Sequence, residues 1–396
     1  MKAAGDPLTA LWHACLPDAE PPESLLVQSP VRIAFGPGRL AELGALARNE
    51  GAQRVLVVTD PGIAAAGHVA RAVESLRAAE LDVTVFDRAA ENPTTHHVEA
   101  GLTVARDANI DFLVALGGGS AMDCAKGINL LLTNGGQIRD YWGINKPTAP
   151  LLPAIAVPTT AGTGSEAQSF ALISDPVSHQ KMACGDRRPP NEGGLRPRLA
   201  ILDPDLTASQ PPRVAAASGL DAIAHAVETA GTTERTPVSM RFSQAAWQLL
   251  VRAYEPAMRQ PSPHDRACML LGAHLAGAAI EQSMLGAAHA CANPLTARFG
   301  IVHGVAVGVM LPAVVKYNAS AGDNPYASLE PDATVLVAKI QALLTAGGLP
   351  SRVSDCNVPK AALTELAFYG AEQWTAKFNP RPVDAPELLE IFRLAY

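Results

Sequence analysis

Between about residues 30 and 205, short apolar runs rich in β-branched residues alternate with longer stretches whose apolar positions recur at helical spacing. VLVVTD (55–60) is followed by HVARAVESLRAAE (68–80), and DVTVFD (82–87) by VEAGLTVARDAN (98–109). FLVALGGGS (112–120) ends in glycines, and LLPAIAVPTT (151–160) and RLAILD (198–203) supply further strands. Strands that are apolar throughout are buried on both faces, so the pattern predicts a parallel sheet covered by helices on either side. After TASQPP (207–212) strand signals nearly vanish. Ala/Leu-rich helical patterns then run to the end, among them VAAASGLDAIAHAVETA, VSMRFSQAAWQLLVRAYEPAM, RACMLLGAHLAGAAIEQSM and ATVLVAKIQALLTAGG. The expected organisation is a tail over 1–25, an α/β domain over 26–207 and an all-α domain over 208–396. DRRPPNEGGLRPR (186–198) reads as an exposed loop.

Composition narrows the partners. A chain of 396 residues can bury two separate cores, and 48% hydrophobic with 17% charged residues suits a folded enzyme. The net charge is −7 with no run of Lys or Arg, which argues against nucleic acid and against a polybasic membrane patch. Apolar runs break well before the roughly 20 residues that span a bilayer, and the N-terminal stretch lacks a clean apolar core of signal-peptide length. The expected location is the cytoplasm. Cys15, Cys124, Cys184, Cys268, Cys291 and Cys356 are scattered without a C-x-x-C pair, as reduced thiols would be.

The candidate chemistry sits at turns and on one polar-in-apolar helix. In FLVALGGGSAMDCAK, Gly118, Gly119 and Ser120 lie where a strand meets a helix. Free N–H groups at such a helix start attract a pyrophosphate; the plainer reading is a tight turn with Ser120 as N-cap. AVPTTAGTGSEAQ (156–168) is a second polar turn after a strand, offering Thr159, Thr160, Thr163 and Ser165. Two such turns would line the carboxyl edge of one parallel sheet, where open α/β sheets bind ligands. Asp60 ends its strand and either accepts from a ribose, favouring NAD over NADP, or starts a helix before Pro61. DAIAHAVE places Asp221 and His225 four apart, on one face of an otherwise apolar helix. Unpaired, they would be costly to bury, so either they satisfy each other or nearby backbone, or something bound between them satisfies both. His289 and His303 lie in one further apolar stretch, and the four side chains form an N3O set suited to Fe2+ or Zn2+. Glu228 is either an acceptor behind that set or a solvated charge. His274 reads as core, while His13, His68, His96, His97, His179 and His264 sit in loops or polar surroundings.

Assembled, these stretches resemble the group III, or iron-containing, alcohol dehydrogenases from about Pro30 to Tyr396. VRIAFGPGRL, VVTDPG, ENPTT, GGGSAMDCAK, PTTAGTGSEA, the Lys181 region, GLDAIAHAVE, HACAN and HGVAVGVMLP carry the likeness. The resemblance implies an α/β dinucleotide-binding domain followed by a helical metal-binding domain, an architecture shared with dehydroquinate synthase. By position it places metal ligands on Asp221, His225, His289 and His303. It places NAD contacts on Asp60, Asn92, Gly118, Gly119, Ser120, Asp123, Thr159, Thr160, Thr163, Lys181 and Leu206, with Asp123 toward the nicotinamide end. Two departures stand out. Asn293 occupies the position where many members carry a second histidine near the substrate, and an amide cannot relay a proton as imidazole does. The 187–198 loop is longer and richer in Pro and Gly than usual. The implied activity is reversible hydride transfer between NAD(H) and a small primary alcohol or its aldehyde, in a homodimer. Asp123 and Asn293 are the catalytic candidates beside the metal. The alternatives are a metal- and NAD-dependent lyase or cyclase of the dehydroquinate synthase type, a superfamily dehydrogenase for glycerol, maleylacetate or phosphonoacetaldehyde, and a non-catalytic NAD-binding metalloprotein.

Overall fold

The computed structural model describes residues 12, 13, 15–17, 29, 31–177, 180–320 and 322–396; most of the expected 1–25 tail, and His179, lie outside them. The chain forms two compact units. The first comprises Ser29–Thr160 and Ser165–Gln210, and the second Pro211–Tyr396 with Ala161–Gly164 and the described residues from Trp12.

In the first unit the strands are β1 (Arg32–Phe35), β2 (Arg54–Val58), β3 (Asp82–Phe86), β4 (Phe112–Gly117), β5 (Gly143–Ile144), β6 (Ala154–Pro158), β7 (Phe170–Ser174), β8 (Lys181–Gly185) and β9 (Leu199–Leu202). Six of them make one sheet in the order β1-β9-β6-β4-β2-β3, every pair parallel. The helices are α1 (Leu43–Asn49), α2 (Pro61–Ala65), α3 (His68–Ala78), α4 (Thr95–Asp107) and α5 (Gly119–Asn134). Alternate side chains of each strand enter different cores, as the pleat requires. Leu56, Val58, Leu113 and Ala115 pack with α4 and α5, whereas Val55, Val57, Val114 and Leu116 pack with α1 and α3. Both faces being apolar is why these strands read as continuous runs.

The apolar pattern singles out neither β1 nor a second, three-stranded sheet in the order β5-β8-β7. Its strands are short, and β7 pairs antiparallel with β8. The 186–198 segment is an exposed loop only at Arg187, Pro189, Asn191 and Glu192. Asp186, Gly193, Gly194 and Leu195 are buried, and the Arg188 guanidinium donates to Asp186 and to the Ala149 carbonyl. The Pro/Gly content lets the chain fold back on itself: a Cβ on Gly194 would lie 1.8 Å from the Arg188 carbonyl oxygen.

The second unit is helical: α6 (Pro212–Gly231), α7 (Pro237–Arg259), α8 (Pro263–Glu281), α9 (Ala287–Phe299), α10 (His303–Ala319), α11 (Ala333–Ala346), α12 (Leu363–Ala371) and α13 (Ala385–Ala395). α6 packs against α7, α8 and α10 and is buried almost all round. A helix apolar on every side belongs in the middle of a bundle, so beyond the exposed first turn its charged groups, Asp221 and Glu228, are buried too.

The expectation of six free thiols is corrected. Cys15 and Cys268 form a disulfide across 253 residues of sequence, with Cα atoms 6.1 Å apart. Their separation hid the pair, since spacing reveals only near neighbours. Cys124, Cys184, Cys291 and Cys356 are free. Among the described residues no helix is long and apolar enough to cross a membrane.

Candidate functional site

Asp221, His225 and Glu228 occupy successive turns of α6, His289 the first turn of α9, and His303 the first position of α10. The Nε2 atoms of His225, His289 and His303 lie 3.5, 3.4 and 3.9 Å from Asp221 Oδ1. Donors arranged tetrahedrally about an ion at roughly 2.1 Å stand about 3.4 Å apart; Asp221, His289 and His303 bring ligand atoms within 4.8 Å of one another, while His225 lies outside that group and approaches it at Asp221 Oδ1. The His225 and His289 rings stack with centroids 4.8 Å apart. Asp221 Oδ1, His225 Nδ1 and His289 Nε2 are buried without a hydrogen-bond partner. Asp221 Oδ1 and His289 Nε2 face each other at 3.4 Å, and such orphaned atoms suit a bound cation, because leaving them unmet costs about 1–3 kcal/mol each. The His303 side chain is 28% exposed and is the set's open flank.

Two glycines let these helices approach. A Cβ on Gly304 would fall 2.1 Å from the Ala217 carbonyl oxygen and 3.3 Å from Asp221 Cβ, so the start of α10 lies directly on α6. Gly286 precedes α9, and a Cβ there would stand 3.1 Å from Glu228 Oε1. Glu228 is no solvated charge. It is buried, accepts from the Ala288 N–H at 2.7 Å through Oε1, and holds His289 Nδ1 through Oε2. One carboxylate thus caps α9 and fixes the histidine with Nε2 toward Asp221, as carboxylates behind metal-binding histidines do. Asn379, to which the sequence pattern gave no role, accepts from the Ala287 N–H and exchanges hydrogen bonds with Asn318.

The charges are strongly coupled. Burial opposes ionisation of Asp221, but the imidazoles of His225, His289 and His303 beside it outweigh burial and hold the carboxyl below its usual range. Burial takes His225 down to about 4 despite Asp221. Burial opposes charge on His289 as well, yet Glu228 and Asp221 raise it to about 9.

In the first unit, β4 runs through Gly117 into α5, whose N-cap is Gly118 and carries no side-chain cap; Ser120 lies inside the helix, not at its cap. Gly117 has φ 150, and a Cβ there would lie 2.9 Å from Ala121 Cβ. Thr160 approaches Gly118, and Thr159 Oγ1 is buried without a partner. An uncapped helix start beside an unmet buried hydroxyl is a polar cradle fit for an anionic group. Asp60 caps α2 through Oδ1, which accepts from the Ile63 N–H at 3.0 Å. Asn92 is half-buried with φ 50, and Lys181 opens β8. The Leu206 side chain is fully buried in the core under α1 and α3.

Asp123 faces inward. Its Oδ1 accepts from Ser165 Oγ at 2.9 Å, and Lys126 Nζ donates to the Ser165 carbonyl, Ser165 Oγ and the Phe170 carbonyl at 2.7–2.8 Å. Burial raises the Asp123 carboxyl above its usual range, although Lys126, Ser165 and Lys181 favour the charged form. Thr163 belongs with the helical unit, where a Cβ on Gly162 would stand 2.5 Å from Ser218 Cβ. Asn293, one turn after His289, donates to Gln373 Oε1 at 3.0 Å.

Comparison with known proteins agrees in both halves. The model of iron-containing alcohol dehydrogenase matches residues 30–204, and that of the C-terminal part of the Fe-containing alcohol dehydrogenase family matches 215–396. Alcohol dehydrogenase 4 of Schizosaccharomyces pombe is 38% identical over 286 residues, 72% of this chain and 66% of its own length. The 1,3-propanediol dehydrogenase of Citrobacter freundii is 34% identical over 378 residues, 91% of this chain and 96% of its own. Among solved structures, sulfoacetaldehyde reductase from Bifidobacterium kashiwanohense in complex with NAD+ has a TM-score of 0.84 and 28% identity, covering 93% of this chain and 97% of that one.

Proposed function

The chain belongs to the iron-containing alcohol dehydrogenase family, and on that premise we propose that it interconverts a small primary alcohol and its aldehyde with NAD(H), using Fe2+ or Zn2+ at the Asp221/His225/His289/His303 set. The observation that carries the reading is the approach of three imidazole Nε2 atoms to one buried carboxylate oxygen. A cation there would supply Lewis acidity toward the substrate oxygen, and a nicotinamide would supply or accept hydride.

The chain's own residues do the rest. Asp221 contributes the one anionic donor and the histidines neutral ones. Glu228 keeps the His289 ring turned, and the surrounding apolar helices exclude water. The N–H groups of Gly118, Gly119 and Ser120 would take the pyrophosphate, with Thr159 and Thr160 beside them. Asp60 would accept from the ribose and repel a 2′-phosphate. Asp123 positions the second turn through Ser165. Asn293 can donate or accept a hydrogen bond at the substrate but carries no titrating proton, so proton release falls to solvent on the His303 side. Both matching family models are of alcohol dehydrogenases, which leaves the lyase alternative without support.

The test is NADH oxidation against a panel of short aldehydes, using protein purified anaerobically and supplied with Fe2+ or Zn2+. Turnover should require the metal and disappear on chelation, while NADH binding persists. No turnover with any aldehyde in metal-replete protein would overturn the reading.

A further inference from the structure

Two groups of three or more ligating side chains come close enough to share an ion among the described residues, and the second is Cys15, His264 and Cys268. Nothing in the proposed reaction uses it. His264 and Cys268 stand one turn apart near the start of α8, so both leave the same face of the helix. His264 Nε2 is 3.6 Å from Cys268 Sγ, and the ligand atoms of all three residues lie within 4.8 Å of one another. The sulfurs are buried and the imidazole is exposed, so the group is closed on the protein side and open to water on the other. The neighbouring Asp265 carboxylate is occupied by the Ser262 N–H and hydroxyl and does not extend the set.

In this structure the two sulfurs are bonded to each other. A disulfide needs no imidazole beside it, whereas two thiolates and an imidazole are a donor set for thiophilic divalent cations. We propose that Cys15, His264 and Cys268 form a second, redox-gated cation site, which takes an ion of the zinc class as the dithiol pair and none as the disulfide. Opening it requires a dithiol reductant. The reductant loses two electrons and closes to its own disulfide, the Cys15–Cys268 bond breaks, and each sulfur leaves as a thiol. The cation then displaces the two thiol protons to solvent, with water in the remaining coordination position. Cys15 stays attached to α8 in either state, by a covalent bond or through the ion. The other cysteines offer little competition. Burial pushes the Cys124 and Cys184 thiols up to about 12 and raises that of Cys291, while Cys356 stands as a single half-buried thiol.

The experiment uses the full chain with its histidine–aspartate site already loaded. Untreated protein and protein reduced by excess dithiol, then desalted anaerobically, are titrated with Cd2+. Thiolate-to-cadmium charge-transfer absorption identifies sulfur ligation and is silent for an N3O site. The reduced form should take up one cadmium with this absorption and the untreated form none. Cys15→Ser and Cys268→Ser should lose the signal, and His264→Ala should weaken binding by at least the roughly 10–100-fold that losing an outer partner costs. Absence of the absorption in reduced wild-type protein, or its persistence in Cys268→Ser, overturns the proposal. A second measurement needs no variant: Zn2+ should slow re-formation of the disulfide in reduced wild-type protein, followed by thiol count. An unchanged rate also overturns it. Neither result bears on the dehydrogenase reading, which uses none of these three side chains.

Discussion

Glu228 shows how much a single side chain can settle. A buried carboxylate with one oxygen on a helix N-terminus and the other on an imidazole fixes both the start of α9 and the direction of His289. Glu228→Ala should therefore lower cation affinity by roughly 10–100-fold while leaving all four ligands in place. Competition with a calibrated chelator measures this, and an unchanged affinity would remove Glu228 from the site. At this scale the sequence was informative where chemistry repeats locally. Asp221 and His225 stand out because a four-residue spacing inside an apolar helix can be read directly. Glu228 was legible as a possibility and was decided only by its burial. Asn379 was not legible, because nothing around it shows that it meets the start of α9 from 92 residues away.

Among the elements, the close crossing of α6 and α10 is what brings His303 to Asp221. Gly304 makes that crossing possible, and the obstacle to a larger residue is the backbone carbonyl of Ala217, which cannot rotate away. Gly304→Ala should cost about 1–3 kcal/mol through overpacking and should also weaken the cation site, although no ligand is altered. Thermal unfolding together with chelator competition tests both effects; wild-type values in both would show that the crossing does not position His303. The inner strands of the main sheet, β2, β4, β6 and β9, were legible because burial on both faces makes them apolar throughout, whereas β1 at the edge was not. β7 and β8 escaped because five residues each on a small mixed sheet carry neither a long apolar run nor a clear alternation. Apparent loop composition misled at 186–198, where Gly and Pro serve tight internal packing.

Across the whole molecule, the metal candidates all belong to the helical unit, and the glycine turn at the start of α5 belongs to the α/β unit. The change from strand to helix patterning near residue 208 was visible in the sequence because the two kinds of core impose different periods. The bond between Cys15 and Cys268 was not, since a contact across 253 residues leaves no local trace. The most direct test of the account is anomalous X-ray diffraction from crystals of anaerobically purified protein supplied with Fe2+ or Zn2+, recorded at the metal's absorption edge. The account predicts a peak about 2.0–2.3 Å from Asp221 and from Nε2 of His225, His289 and His303. A peak bound elsewhere, with these four side chains turned apart, would contradict it.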